Sequence, residues 1–320
     1  MTNIPNLSDI RQAADRIAPH AHRTPVFTCE DINRLCDAEL FFKCENFQKV
    51  GAFKFRGACN AVFSLPEKEA NRGVATHSSG NHAAALSLAA RLRGIPAFIV
   101  MPRNAPVVKK NAVAAYGGKI HFCEPTLRAR EETLAKVVQV TGAHFVHPYN
   151  DYRVIAGQGT AALELLQDCR DLQMILAPVG GGGLLSGTAL AVSELSPSTK
   201  VIAAEPAGAD DAYRSMQAGR IIPSENPVTI ADGLLTSLGS LTFPIIREHV
   251  RQIVTVSEQA IVDAMRLIWE RMKIVVEPSA AVPLGVLLEK KIDVRGKRVG
   301  IILSGGNVDM DNLPWVSRSE

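Results

Sequence analysis

The chain has 320 residues, 47% of them hydrophobic, and 35 Lys and Arg against 32 Asp and Glu give a net charge of +3. That much apolar material fills one or two cores, so two domains, or one large domain carrying a smaller one, are expected. The basic residues are scattered rather than striped, which argues against nucleic acid as a partner, and no stretch has the uncharged apolar length of a membrane span.

The first residues carry Asp9 and Asp15 and lack the continuous apolar run of an export signal, so a cytoplasmic protein is expected. Six cysteines lie at 29, 36, 44, 59, 123 and 169, with no CxxC pair and no histidines at zinc-finger spacing. They read as free thiols in a reducing compartment.

Short β-rich runs alternate with longer helical patterns along the chain. LFFKCE at 40–45 reads as a strand, and it is followed by GAFKFRG around Lys54. The strand GVATHSS at 73–79 leads into an Ala-rich helix at 81–94, PAFIVMP at 96–102 into a helix at 105–117, and KIHFCEP at 119–125 into a helix at 126–142. AHFVHPY at 143–149 reads as a strand before a helix at 157–169. MILAPVG at 174–180 precedes a helix at 184–196, and KVIAAEP at 200–206 and RVGIILSGG at 298–306 complete the strands. Repeated strand, helix, strand at this spacing predicts an α/β fold of parallel sheets with helices on both faces. Such sheets bind ligands at the carboxyl ends of their strands, and here every Gly-, Ser- and Asn-rich turn sits at such an end: SSGN, GGGG and SGGN.

Gly180, Gly181, Gly182 and Gly183 leave successive N–H groups free to converge on an anion at a helix start, and a phosphate suits that place. Neither a complete dinucleotide fingerprint nor a Walker loop is present. Lys54 stands between Phe53 and Phe55. It either snorkels to solvent or, if buried, loses its proton readily and forms an imine with an aldehyde. Ser78, Ser79, Gly80, Asn81 and His82 open the Ala-rich helix, so their N–H groups suit a carboxylate, with helix capping as the alternative role of the serines. Glu205 and Asp211, with a carbonyl near Ala209, offer part of an oxygen shell for Mg²⁺, Mn²⁺ or Ca²⁺.

The segments FFKCENFQKVGAFKFRGACNAV, THSSGNHAAALSLAARLRGIPAFIVMP, HPYNDYRVIAGQGTAALELL, APVGGGGLLSG, AAEP, TIADG, WERMKIVVEPSAAVPL and LSGGNVD occur in one order over nearly the whole chain. In this combination the chain resembles the fold-type II pyridoxal-phosphate enzymes, a group that includes serine and threonine dehydratases, serine racemase and the 3-hydroxyaspartate ammonia-lyases. The resemblance implies a tryptophan-synthase-β-like fold with pyridoxal 5'-phosphate in a cleft between two domains. Residues 1–72 and 151–320 would form the larger domain and 73–150 the smaller. It implies that Lys54 carries the cofactor and moves the substrate α-proton, with Phe53 against the ring and Asn81 on its hydroxyl. Gly180 to Gly183 would hold the phosphate, and Ser304 the pyridine nitrogen. Ser79 would exchange a proton on the face opposite Lys54, and Glu205, Ala209 and Asp211 would bind the divalent cation. Substrate contacts fall on Ser78, Ser79, Gly80, His82, Arg130 and Tyr149; Tyr149 stands where serine racemase has asparagine. HPYNDYRVIAGQGT and VVEPSAAVPL look closer to the 3-hydroxyaspartate enzymes, and a second substrate carboxylate would need Arg128, Arg130 or Arg153. The expected activity is therefore α,β-elimination on 3-hydroxyaspartate by a homodimer, with serine or threonine dehydration, or racemisation, as the alternative.

Overall fold

In the computed structural model, which describes residues 4–316, ten strands form two sheets. In chain order they are β1 (Val26–Phe27), β2 (Glu39–Cys44), β3 (Val74–His77), β4 (Ala97–Pro102), β5 (Lys119–Cys123), β6 (His144–Phe145), β7 (Met174–Pro178), β8 (Lys200–Pro206), β9 (Gln252–Val256) and β10 (Arg298–Leu303). The larger sheet runs β1-β2-β10-β7-β8-β9 and is parallel except for β1 at its edge; the smaller runs β5-β4-β3-β6 and is wholly parallel.

Both faces of each sheet are covered. Along β7, Met174 and Leu176 enter one core while Ile175 and Ala177 enter the other, the two-residue alternation of a strand buried on both sides. The first four helices are α1 (Leu7–Ile17), α2 (Glu30–Cys36), α3 (Lys54–Phe63) and α4 (Glu67–Ala70). Then follow α5 (Asn81–Arg93), α6 (Val107–Ala115), α7 (Leu127–Thr141), α8 (Tyr152–Asp168) and α9 (Gly183–Leu195). The last are α10 (Asp211–Ala218), α11 (Thr242–His249), α12 (Glu258–Met272) and α13 (Pro278–Leu288). Helices α2, α12 and α13 cover one face of the large sheet, and α8 to α11 the other. On the small sheet, Val74, Ile99 and Met101 meet α3 and α5, whereas Ala75 and Val100 meet α7.

Two expectations shift, and one strand was not expected. The strand expected at 143–149 is only His144–Phe145, because His147 Nδ1 accepts from the N–H groups of Tyr149 and Asn150 and turns the chain. The next helix starts at Tyr152 rather than 157, capped by Asp151, whose carboxylate accepts from Arg153 and Val154. Strand β9, with the half-polar pattern QIVTV, is an edge element that the reading of the sequence passed over. Among the described residues no helix is long and apolar enough to cross a membrane.

Candidate active site

The carboxyl ends of β3 and β10 meet across the gap between the two sheets. Lys54 opens α3, and the chain before it is fastened to the end of β10: Phe53 N–H donates to Ser304 O at 3.0 Å, Gly306 N–H to Gly51 O at 2.9 Å, and Ala52 bridges Gly305. Lys54 Nζ donates to Pro148 O at 3.0 Å and lies 5.1 Å from the centre of the Phe53 ring. Burial pushes its amine down to about 8, with Glu277 pulling the other way. Ser304 is 2% exposed, and its hydroxyl has no hydrogen-bond partner among the described residues.

Neighbouring Ser304 is the turn after β7. Gly182 has φ +88°, and the N–H groups of Gly180 to Gly183 have no backbone acceptor among the described residues. All four glycines are buried, and side chains would not fit. A Cβ on Gly181 would lie 2.3 Å from the Tyr149 ring, and one on Gly182 would lie 2.7 Å from Ile246. This is a cradle of bare N–H groups at the start of the 13-residue helix α9.

Across the gap, α5 begins at Asn81 with Gly80 as its cap residue, and no side chain caps it. The capping role considered for the serines is not the one found: Ser78 Oγ only receives Gly80 N–H at 3.4 Å, and the Ser79 hydroxyl is unpartnered among the described residues. A Cβ on Gly80 would meet nothing within 4 Å, so this helix start faces open space. His82 turns its side chain inward, 2% exposed, to Val146 O, and burial drives its pKa well down, so it is neutral. Only its main chain is available at the helix start.

The three arginines considered for a second carboxylate separate clearly. Arg128 is exposed and paired with Glu132, and Arg153 points to His144 at the beginning of β6, so neither belongs to this cleft. Arg130 is half-buried, its Nε is buried without a partner, and its charge lowers the pKa of His77, the residue before Ser78. Burial is the first cause of that lowering. Tyr149, expected among substrate contacts, lies against Gly181 and Gly183. It therefore borders the anion cradle.

Glu205 ends β8 and accepts from Ala212 and Tyr213 N–H, both at 2.8 Å. Burial raises it to about 8 and Asp211 to about 6, and Asp211 Oδ2 is buried without a partner. Ala209 is buried in the turn between them. Among the described residues no three His, Cys, Asp or Glu side chains converge as a metal cage, so a cation here would draw on carbonyls and water.

Residues 17–305 match the family described as "Pyridoxal-phosphate dependent enzyme". The chain belongs to this family. Among its relatives is the beta-hydroxyaspartate dehydratase of Paracoccus denitrificans (strain Pd 1222), 58% identical over 312 residues, 98% of this chain and 99% of that one. The serine racemase of Arabidopsis thaliana is 52% identical over 317 residues, covering 98% and 96%. The structure of maize serine racemase superposes with a TM-score of 0.95 at 47% identity, over 97% of this chain and 95% of that one.

A pyridoxal-phosphate enzyme needs an amine, an anion cradle and a partner for the ring nitrogen, and the unpartnered Ser304 hydroxyl, the bare N–H groups of the glycine turn and the desolvated Lys54 fit those needs. Two residues of this cleft were missed in the sequence. Glu277, 3% exposed, takes Asn81 Nδ2 on both its oxygens at 3.1 Å, and Asn307 Nδ2 donates to Asn81 Oδ1 at 2.9 Å. A lone acid in the apolar run IVVEPSAAV was the available signal for Glu277; Asn307 stood within SGGN.

Proposed function

We propose that the protein is an ammonia-lyase that removes water from 3-hydroxyaspartate by α,β-elimination. The enamine released becomes iminosuccinate, which water hydrolyses to oxaloacetate and ammonia. The observation that carries this choice of substrate is a second anion receptor beside the uncapped start of α5: Arg130, whose Nε is buried without a partner and whose charge reaches His77 on β3 and Cys123 on β5. The 58% identity to a beta-hydroxyaspartate dehydratase supports it.

When bound, pyridoxal phosphate supplies an electron sink for the charge left at the substrate α-carbon. The residues of the chain do the rest. Lys54 would hold the cofactor and would take the substrate α-proton; its lowered pKa leaves a useful fraction neutral near pH 7. Phe53 would lie against the ring, Asn81 would meet its ring oxygen, and Gly180 to Gly183 would receive the phosphate. The Ser304 hydroxyl would meet the pyridine nitrogen without forcing a proton onto it, which would moderate the sink and favour departure of the β-hydroxyl. Ser78, Ser79, Gly80 and the His82 N–H surround the α-carboxylate, and Arg130 takes the β-carboxylate. Tyr149 closes the site over the glycine turn.

Glu205, Asp211 and the main chain at Ala209 are read as the seat of a divalent cation, because two buried acids, one with an oxygen left without a partner, suit a hard ion. The domain boundaries are drawn at 72/73 and 150/151, and the assembly is read as a cytoplasmic homodimer. The free cysteines, four of them buried, accord with a reducing compartment.

A second reading has a specific observation behind it: the free Ser79 hydroxyl could exchange a proton, which favours some racemisation of serine. Steady-state kinetics decide the main reading. A kcat/KM for L-serine or L-threonine equal to or above that for every 3-hydroxyaspartate isomer removes hydroxyaspartate as the substrate.

A further inference from the structure

Asn81 has an amide that either end could present to a ligand, and the surrounding hydrogen bonds decide which end it is. The chain of bonds begins at a group with no choice. Val50 O, a main-chain carbonyl, can only accept, and it takes Asn307 Nδ2 at 2.8 Å. The amide of Asn307 is thereby oriented, and the other hydrogen of the same nitrogen goes to Asn81 Oδ1 at 2.9 Å. With its oxygen occupied, Asn81 turns Nδ2 to the Glu277 carboxylate, 3.1 Å from each oxygen. The two oxygens of one carboxylate subtend too narrow an angle to take both amide hydrogens, which diverge in the amide plane. One Asn81 N–H is therefore left over, pointing away from Glu277.

The scaffold of this chain of bonds is itself fixed. Val50 is a β-branched residue at φ +58°, a conformation of high cost that surrounding structure must impose. Gly51 and Gly305 let the neighbouring segments approach: a Cβ on Gly51 would come within 2.7 Å of Asn307 Oδ1, and one on Gly305 within 2.7 Å of Glu277 Oε1. Glu277 N–H donates to Gly305 O at 3.0 Å, and Glu277 Oε2 also takes the Asn307 main-chain N–H at 3.2 Å. The carboxylate thus has several donors and no hydrogen of its own to offer when ionised.

We infer that Val50, Asn307 and Glu277 act as positioning residues that lock Asn81 as a hydrogen-bond donor, so that the ring oxygen of the bound cofactor is held ionised rather than protonated. The inference rests on the reading of this cleft as a pyridoxal-phosphate site. If the amide turned over, Asn81 would offer an oxygen, and the ring oxygen would have to keep its proton to meet it. Glu277 and Asn307 touch neither cofactor nor substrate in this account; they act through Asn81.

The test uses purified enzyme saturated with pyridoxal phosphate, comparing wild type with Asn307→Asp and Glu277→Gln. The first variant cannot donate to Val50 O or to Asn81, so the polarity reverses. The second keeps the shape but places a donor among donors. The readout is the absorbance of the bound cofactor: the visible band comes from the form with the ionised ring oxygen, the near-ultraviolet band from the form that keeps the proton. Loss of one charge-assisted hydrogen bond should lower the visible-to-near-ultraviolet ratio by about tenfold in Asn307→Asp and in the same direction in Glu277→Gln. Circular dichroism checks that both variants fold, and either one alone suffices for the comparison. A purely structural role would weaken cofactor binding and leave the ratio of the bound fraction unchanged, and that result overturns the inference. A wild-type protein that takes up no pyridoxal phosphate at all would instead overturn the functional reading along with it.

Discussion

Lys54 and Ser304 are tied through one main-chain bond, Phe53 N–H to Ser304 O at 3.0 Å, so the amine and the hydroxyl proposed for opposite ends of one cofactor are set by the same junction of α3 with β10. A movement of that junction moves both groups together. The tie explains how a helix start and a strand end far apart in sequence keep a fixed spacing without a side-chain contact between them.

Lys54→Ala should lower ammonia release by at least about 10³-fold, since one substitution removes both the covalent attachment and the α-proton base. Continued turnover near the wild-type rate in protein free of wild-type contamination would sink the assignment. A smaller effect on cofactor affinity is expected, because the glycine turn remains.

Uptake of pyridoxal phosphate by the apoenzyme should depend on pH. Imine formation needs the neutral amine, and burial has pushed Lys54 down to about 8. Below that value most Lys54 is ammonium, so the rate of uptake should rise about tenfold per pH unit and level off above it. A rate still climbing toward pH 10, as for an ordinary lysine, would show that the amine is not desolvated.

Much of this site could be read from the sequence because its parts sit at strand ends. SSGN, GGGG and SGGN each follow an apolar run, and the rule that parallel sheets bind ligands at their carboxyl ends locates all three. The interactions across the cleft were harder to read. Glu277 and Asn81 lie 196 positions apart, and neither periodicity nor local motif pairs them. The arginines show the same limit: Arg128 and Arg130 are two apart on α7, yet helical geometry turns one to solvent and leaves the other half-buried.

Arg130 should govern selectivity. Arg130→Leu is expected to lower kcat/KM for 3-hydroxyaspartate by about tenfold to a hundredfold, the worth of one charge-assisted bidentate contact, and to leave L-serine within a few-fold. Equal losses on both substrates would mean that Arg130 shapes the site rather than reading the second carboxylate.

Arg56 lies two residues after Lys54 and is fully buried with Glu45; Glu164 and Lys43 complete a network of two positive and two negative charges. Its guanidinium donates to both carboxylates, at 2.7 to 2.8 Å. Arg56→Leu would leave Glu45 with the Thr24 hydroxyl alone and Glu164 with Lys43 alone, two carboxylates short of a cation's bonds, at a cost of about 3–5 kcal/mol in unfolding free energy. Urea unfolding of the apoenzyme measures it, and a loss under about 1 kcal/mol would show that the acids simply take up protons.

Gly181 and Tyr149 should behave as one unit. The ring of Tyr149 occupies the space where a side chain at 181 would begin, since an added Cβ would lie 2.3 Å from it, and Gly181 is not among the glycines at positive φ. Alanine at 181 therefore meets no backbone objection; its cost comes from displacing the ring, and with it the wall of the anion cradle. Gly181→Ala alone is expected to weaken pyridoxal-phosphate binding by about tenfold or more. Tyr149→Ala alone should weaken it less, because the N–H groups of the turn stay in place. In the double variant the methyl enters the space that the ring has left, so the two losses should not add, and the cycle should show a coupling of about 0.5–3 kcal/mol. Titration of the four apoenzymes with pyridoxal phosphate, followed by visible absorbance, gives the cycle directly. Additive losses would mean that the methyl harms the turn by itself, through the approach of the phosphate, and that the aromatic at 149 is a bystander.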